Sequence, residues 1–103
     1  MKNHNFHAIL KEIGDLHDVK NRDYGQEHDP YANVRVSTEW GVPAWKGAMI
    51  RANDKIKRLQ KYAQVGELAN ESVEDSFKDL AVYSLIALDL YRQEEDAKQR
   101  LES

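Results

Sequence analysis

Cysteine is absent from this 103-residue chain, so neither a disulfide framework nor a thiolate metal site is open to it. The absence agrees with a reducing cytoplasm. Glycine (5) and proline (2) are scarce, and with no low-complexity tract and no internal repeat nothing reads as a flexible linker. No stretch approaches the roughly 20 apolar residues of a membrane span. The opening "MKNHNFHAIL" also lacks the hydrophobic run of a signal peptide. A soluble, cytoplasmic protein is expected. Net charge is small as well: 15 Lys and Arg against 18 Asp and Glu leave −3, although charged residues make up 32% of the chain. That balance argues against a general nucleic-acid binder, whose affinity rests on cationic neutralisation of phosphates. A chain of this length is expected to be one domain over residues 1–103, with a frayed charged tail from about residue 95.

What is present is helical periodicity. Phe6, Ile9, Leu10, Ile13, Leu16 and Tyr24 keep the spacing of one helix face, and Gly25 is placed to end that helix. Asp29 and Pro30 form a start signal, Gly41 a stop, and "PYANVRVSTEW" between them predicts a short connecting helix. Pro43 opens the next helix, in which Trp45, Met49, Ala52, Ile56, Leu59 and Ala63 recur at steps of four and three until Gly66. Ser72 with Asp75 approximates a capping box. The last helix then runs through Val73, Phe77, Leu80, Ala81, Leu85, Leu88 and Tyr91. No strand pattern competes, so the expected fold is all-α, three long helices plus a short connector. The last helix is apolar almost all the way round between Leu80 and Leu88, which predicts a homo-oligomer. Trp40 and Trp45 read as corner packing rather than as ligand platforms.

A helix advances about 100° per residue, so positions seven apart nearly eclipse one another, and misplaced polar residues become visible. Lys20 falls seven after Ile13 and Asp23 seven after Leu16, beside Tyr24. Lys55 lies at heptad spacing between Ala48 and Tyr62, with Arg51 and Arg58 alongside. Asp75 and Asp79 stand below Val82, Tyr83 and Ile86 on a line that should be partly buried. If the last two helices form a hairpin turning near Leu68, facing residues have numbers adding to about 137, within a turn. Asp79 then faces Arg58, Val82 and Tyr83 face Lys55, and Asp75 faces Tyr62. A first helix running parallel to the third would bring Lys20, Asp23 and Tyr24 to the same end. Unpaired buried charges cost several kcal/mol, so these groups must meet each other, a metal or a charged ligand. Two readings stay open. One is a structural ion-pair network, Arg58 with Asp79 and Lys55 with Asp75 or Glu74. The other is a pocket for a phosphorylated small molecule, with Arg and Lys on phosphate and Glu71, Glu74, Asp75 and Asp79 on Mg²⁺. His4 and His7 have a metal-compatible spacing but sit at the chain terminus, and His17 and His28 have no evident partners.

Three segments, "KNRDYG" with "DPYAN" downstream, "IRANDKIKRL" and "NESVEDSFKDLAVYSLIAL", resemble in order and spacing the small all-helical nucleotide-modification-associated domain found mostly in phages. The resemblance covers most of Lys20 to Leu88. It singles out Asp23, Tyr24, Gly25, Asn33, Asp54, Lys55, Arg58, Glu71, Asp75 and Asp79, and it implies a role in phage nucleotide metabolism. Many relatives have Asn where this chain has Val82. There is a looser likeness to the all-α nucleoside triphosphate pyrophosphohydrolases, which hold Mg²⁺ with acidic pairs on two helices; here the third helix offers Asp54 alone among cations.

The resemblance therefore implies a protein that binds, and with Mg²⁺ hydrolyses, a nucleoside phosphate in the cytoplasm, the host's if phage-encoded. Lys55, Arg58, Lys20 and Arg51 would hold phosphate, and Tyr24 and Asn33 sugar or base. Glu71, Asp75 and Asp79 would be catalytic and, with Glu74, would hold the metal. The alternative is a non-catalytic nucleotide-binding or protein-interaction module.

Overall fold

The computed structural model describes residues 3–24, 31–69 and 71–102, with residues 21–24 as backbone only. Helices account for every regular element among them: α1 (His4–Tyr24), a 3-10 connector (Arg35–Trp40), α2 (Ala44–Val65) and α3 (Val73–Glu102). The protein is all-α, with three long helices and one short connector. None of its described helices is long and apolar enough to cross a membrane. The chain divides into two compact units, residues 1–33 and 34–103.

The first unit is built on α1. Its start lies two residues ahead of the predicted Phe6, because Asn3 caps it: the Phe6 N–H donates to Asn3 Oδ1 at 3.0 Å, satisfying one of the orphan donors of the first turn. Lys11 and Asp15, four apart, pair at 2.9 Å on the exposed face. The His17 ring, for which the sequence suggested no partner, meets Tyr31 at 6.1 Å between centroids. Ile13 is buried, whereas Phe6, Ile9 and Leu10 of the same stripe stay exposed. Gly25, Asp29 and Pro30, expected to end α1 and start the connector, lie outside the described residues, as does His28.

In the second unit the connector is a 3-10 turn rather than an α-helix, and it is held by its own hydroxyls. Thr38 Oγ1 donates to the Arg35 carbonyl at 2.7 Å and Ser37 Oγ to that of Val42 at 3.0 Å. At its first residue Arg35 Nη2 donates to Gln93 Oε1 of α3 at 3.1 Å. Pro43 precedes α2, and Gly66 ends it with φ 80°, its N–H donating to the Tyr62 carbonyl at 2.8 Å. Only glycine reaches that left-handed conformation without a side-chain penalty. Ser72 caps α3, accepting the Asp75 N–H at 3.0 Å. The charged tail continues as helix through Glu102, with Lys98 and Glu95 3.5 Å apart.

α2 and α3 pack as a hairpin, α2 on part of the apolar stripe that periodicity picks out, with Ala52 buried and Trp45 and Leu59 half-buried, and α3 on a side that its stripe does not include. The side of α2 that is buried carries Gly47, Ala48 and Ala52, followed by half-buried Lys55 and Leu59, while Met49, Ile56 and Ala63 are exposed. On α3 the buried residues are Ser76, Asp79, Val82, Ala87 and Leu90, leaving Phe77, Leu85, Leu88 and Tyr91 exposed. Both helices are thus rotated toward their small and polar residues. Small side chains let the backbones approach, and charged partners across the interface draw Lys55 and Asp79 inward. Of the two tryptophans, Trp45 packs at the corner, edge-on to Tyr91 at 6.1 Å, while Trp40 is a surface residue, 82% exposed.

Gly47 marks the tightest approach. A Cβ there would collide with Ser37 Oγ, and would lie 2.7 Å from Ser37 Cβ and 2.9 Å from the Val34 carbonyl oxygen. Gly47→Ala should therefore lower stability by about 1–2 kcal/mol, overpacking outweighing the roughly 1 kcal/mol that alanine returns in helix propensity. Urea unfolding is expected to show a lower midpoint with an unchanged slope.

Candidate functional site

Where the hairpin closes, four charged side chains meet. Lys55 of α2 reaches across with its Nζ 3.0 Å from Asp79 Oδ2 on α3 and 2.8 Å from Glu71 Oε1 in the turn just before α3. Arg58, one turn further along α2, places Nε 3.2 Å from Glu71 Oε2. The same oxygen accepts the Ser76 hydroxyl at 3.2 Å, and Ser76 is fully buried. Side-chain exposure falls from 45% for Arg58 to 18% for Lys55, 17% for Glu71 and 10% for Asp79. The quartet is therefore charge-balanced, with a dry end at Asp79 and a wet end at Arg58.

Local sequence explains each position. Gly66 stops α2 and Ser72 starts α3, which leaves Glu71 as the residue immediately before the cap, free of helical geometry and able to turn back toward α2. Asp79 lies one turn beyond Ser76 on the buried side of α3, and Lys55 follows Ala52 by three on the buried side of α2. The expected facing pairs are displaced by about one turn. Asp79 takes Lys55 rather than Arg58, Lys55 takes Glu71 rather than Asp75 or Glu74, and Arg58 goes to Glu71. The displacement arises because the turn is long enough to supply a carboxylate of its own.

Glu74 and Asp75 are exposed in the first turn of α3, where acids complement the helix dipole. The four-carboxylate metal set expected from Glu71, Glu74, Asp75 and Asp79 does not assemble: among the described residues no three His, Cys, Asp or Glu side chains group around a common point. Glu71 and Asp79 alone share the site. Arg51 and Asp54 are exposed on α2. Lys20, half-buried, and Asn33, exposed, belong to the first unit, and the side chains of Asp23 and Tyr24 lie outside the described residues. The burial of Ser76 is not among the expectations from periodicity. Its heptad spacing to Tyr83 and Leu90 was the available signal.

Burial alone would pull the Lys55 ammonium below its ordinary pKa of 10.5. Its hydrogen bonds to Glu71 and Asp79, and their two negative charges, more than reverse this and leave it raised. A raised lysine contributes stability that is fully present below the unfolded-chain value of about 10.4 and is lost as pH climbs through the folded value. The midpoint of thermal unfolding should thus fall in alkali more steeply for the wild type than for Lys55→Met, the two curves converging once pH has passed the folded value. At neutral pH Lys55→Met should cost about 3 kcal/mol in urea unfolding, because it strands two carboxylates in a mostly dry site. Asp54→Asn, on the exposed face, should change stability by less than about 0.5 kcal/mol.

Set beside known proteins, the chain finds no match among family models, curated proteins or solved structures.

Proposed function

We propose that the protein binds the phosphate groups of a nucleoside phosphate at the wet end of the quartet, with Arg58 as the principal contact. The observation that supports this most directly is the posture of Arg58: Glu71 holds it at 3.2 Å through Nε, while the side chain stays 45% exposed. A guanidinium held through Nε on a side chain that is still half exposed is suited to bidentate phosphate recognition. Arg51, exposed seven residues before Arg58 on the same side of α2, extends the cationic surface. Lys55, Glu71 and Asp79 act behind it as the frame that fixes the guanidinium. The nucleotide itself is taken from the phage-domain resemblance of the quoted motifs.

Magnesium enters this reading as the ion that accompanies a nucleoside triphosphate. Mg²⁺ keeps most of its water and uses one or two carboxylates beside phosphate oxygens. Of the carboxylates expected to hold it, Glu71, beside Arg58, is the one that would meet it, since Asp79 lies behind the Lys55 ammonium at the dry end. Nucleoside phosphates are cytoplasmic ligands, and this reading places the protein in that compartment.

A second reading has its own support: every charged group of the quartet already has a protein partner within 3.2 Å, as a lock on hairpin register would require. Calorimetric titration with a panel of dNTPs, with and without Mg²⁺, separates the two. The proposal expects saturable binding that weakens about 10-fold or more in Arg58→Ala, the cost of a lost charged hydrogen bond. Release of pyrophosphate that disappears in Asp79→Asn would extend the reading to hydrolysis. No heat with any nucleotide and an unfolding temperature unmoved by the whole panel would leave the register lock as the quartet's role.

A further inference from the structure

The side of α3 turned away from α2 carries a pattern that the quartet does not use. Glu74, Phe77, Ala81, Leu85, Leu88 and Arg92 follow one another at steps of three and four, and so form a single stripe. Its apolar centre is open: Phe77 is 59% exposed, Leu85 53% and Leu88 43%. Each end carries one exposed charge, Glu74 at the start and Arg92 at the finish.

The stripe reads the same in both directions when charge is exchanged. Counting from Tyr83, Ala81 stands two residues before and Leu85 two after, while Glu74 stands nine before and Arg92 nine after. Phe77, six before, is matched by Leu88, five after, within a fraction of a turn. We infer that the occupant of this face is a second copy of the chain, its α3 crossing antiparallel about a two-fold axis that passes between Ala81 and Leu85, level with Tyr83. Two-fold interfaces require one patch to complement itself, and this patch does so. Leu85 packs over Ala81 of the other copy, whose small side chain lets the helices close. Phe77 and Leu88 cover each other on either side. At both ends Glu74 meets Arg92 across the axis, over a contact about 27 Å long by helix rise. An unlike partner would have no reason to find opposite charges at equal distances from a centre.

The test uses the full chain and sedimentation or light-scattering mass. Wild type is expected at twice the chain mass over micromolar concentrations. Glu74→Lys and Arg92→Glu, each placing like charges opposite one another at both ends, should weaken association about 10-fold or more. Mixed in equal amounts, the two variants should recover the doubled mass, because the heterodimer restores an acid–base pair at each end. Leu85→Glu should leave a monomer with an unchanged helical circular dichroism spectrum. Three results would overturn the proposal. The first is a wild type that stays at single-chain mass while Leu85→Glu lowers its unfolding temperature, which would mean that the face is covered within the chain. The others are single charge variants that associate like wild type, and a mixture that remains monomeric although both variants are folded.

Discussion

One ammonium between two carboxylates sets the terms for the helical hairpin. Lys55 must leave water to reach Asp79 and Glu71, and the cost of that transfer is offset only if both acids stay within hydrogen-bond distance. The condition ties three places together: the middle of α2, the second turn of α3 and the last residue before the Ser72 cap. Sliding either helix by one residue along the other would break at least one contact and strand a charge. An apolar core tolerates such slips better, because hydrophobic contact is non-directional. Register in this hairpin is therefore specified electrostatically, and the apolar packing follows it.

That arrangement explains why both helices bury small and polar residues in preference to their largest apolar ones. Gly47, Ala48 and Ala52 bring the α2 backbone close to its neighbours, and Ser76 fits below Glu71 where a larger residue would push the carboxylate away. A fully buried hydroxyl donating to a carboxylate is a satisfied group, so its burial is not a defect. The remaining consequence lies on the opposite side of α3, where Phe77, Leu85 and Leu88 are left uncovered. Glu71 also orients Arg58, whose exposed guanidinium is the quartet's link to solvent. The contacts thus run in one chain from the dry carboxylate of Asp79 out to Arg58.

Much of this was legible beforehand, because punctuation in a helical sequence is local chemistry. Pro43, Gly66 and Ser72 act where they stand through properties of their own backbone or side chain, and they bounded α2 and α3 correctly. Lys55, Arg58 and Asp79 also stood out as charges on or beside lines that should be buried, whereas Glu71 came from the pocket reading and the resemblance. Less legible were the partners. Whether Arg58 takes Asp79 or Glu71 depends on how far the turn lets Glu71 fold back, a property of seven loop residues jointly and of none singly. Glu74 faces solvent because five residues carry it about 140° round the helix from Asp79, and Asp75, only about 40° away, is exposed in the first turn of α3.

The amino-acid order by itself determined the helical class, the ends of α2 and α3 and the identity of the charges that cannot remain alone, since each of these follows from spacing and side-chain chemistry within a few residues. Tertiary structure alone decided the rotation of α2 and α3, the choice of Glu71 over Glu74 and Asp75, and the burial of Ser76. Those outcomes hang on angles between helices, and a shift of one turn, too small to disturb any local pattern, is enough to exchange every partner across the interface.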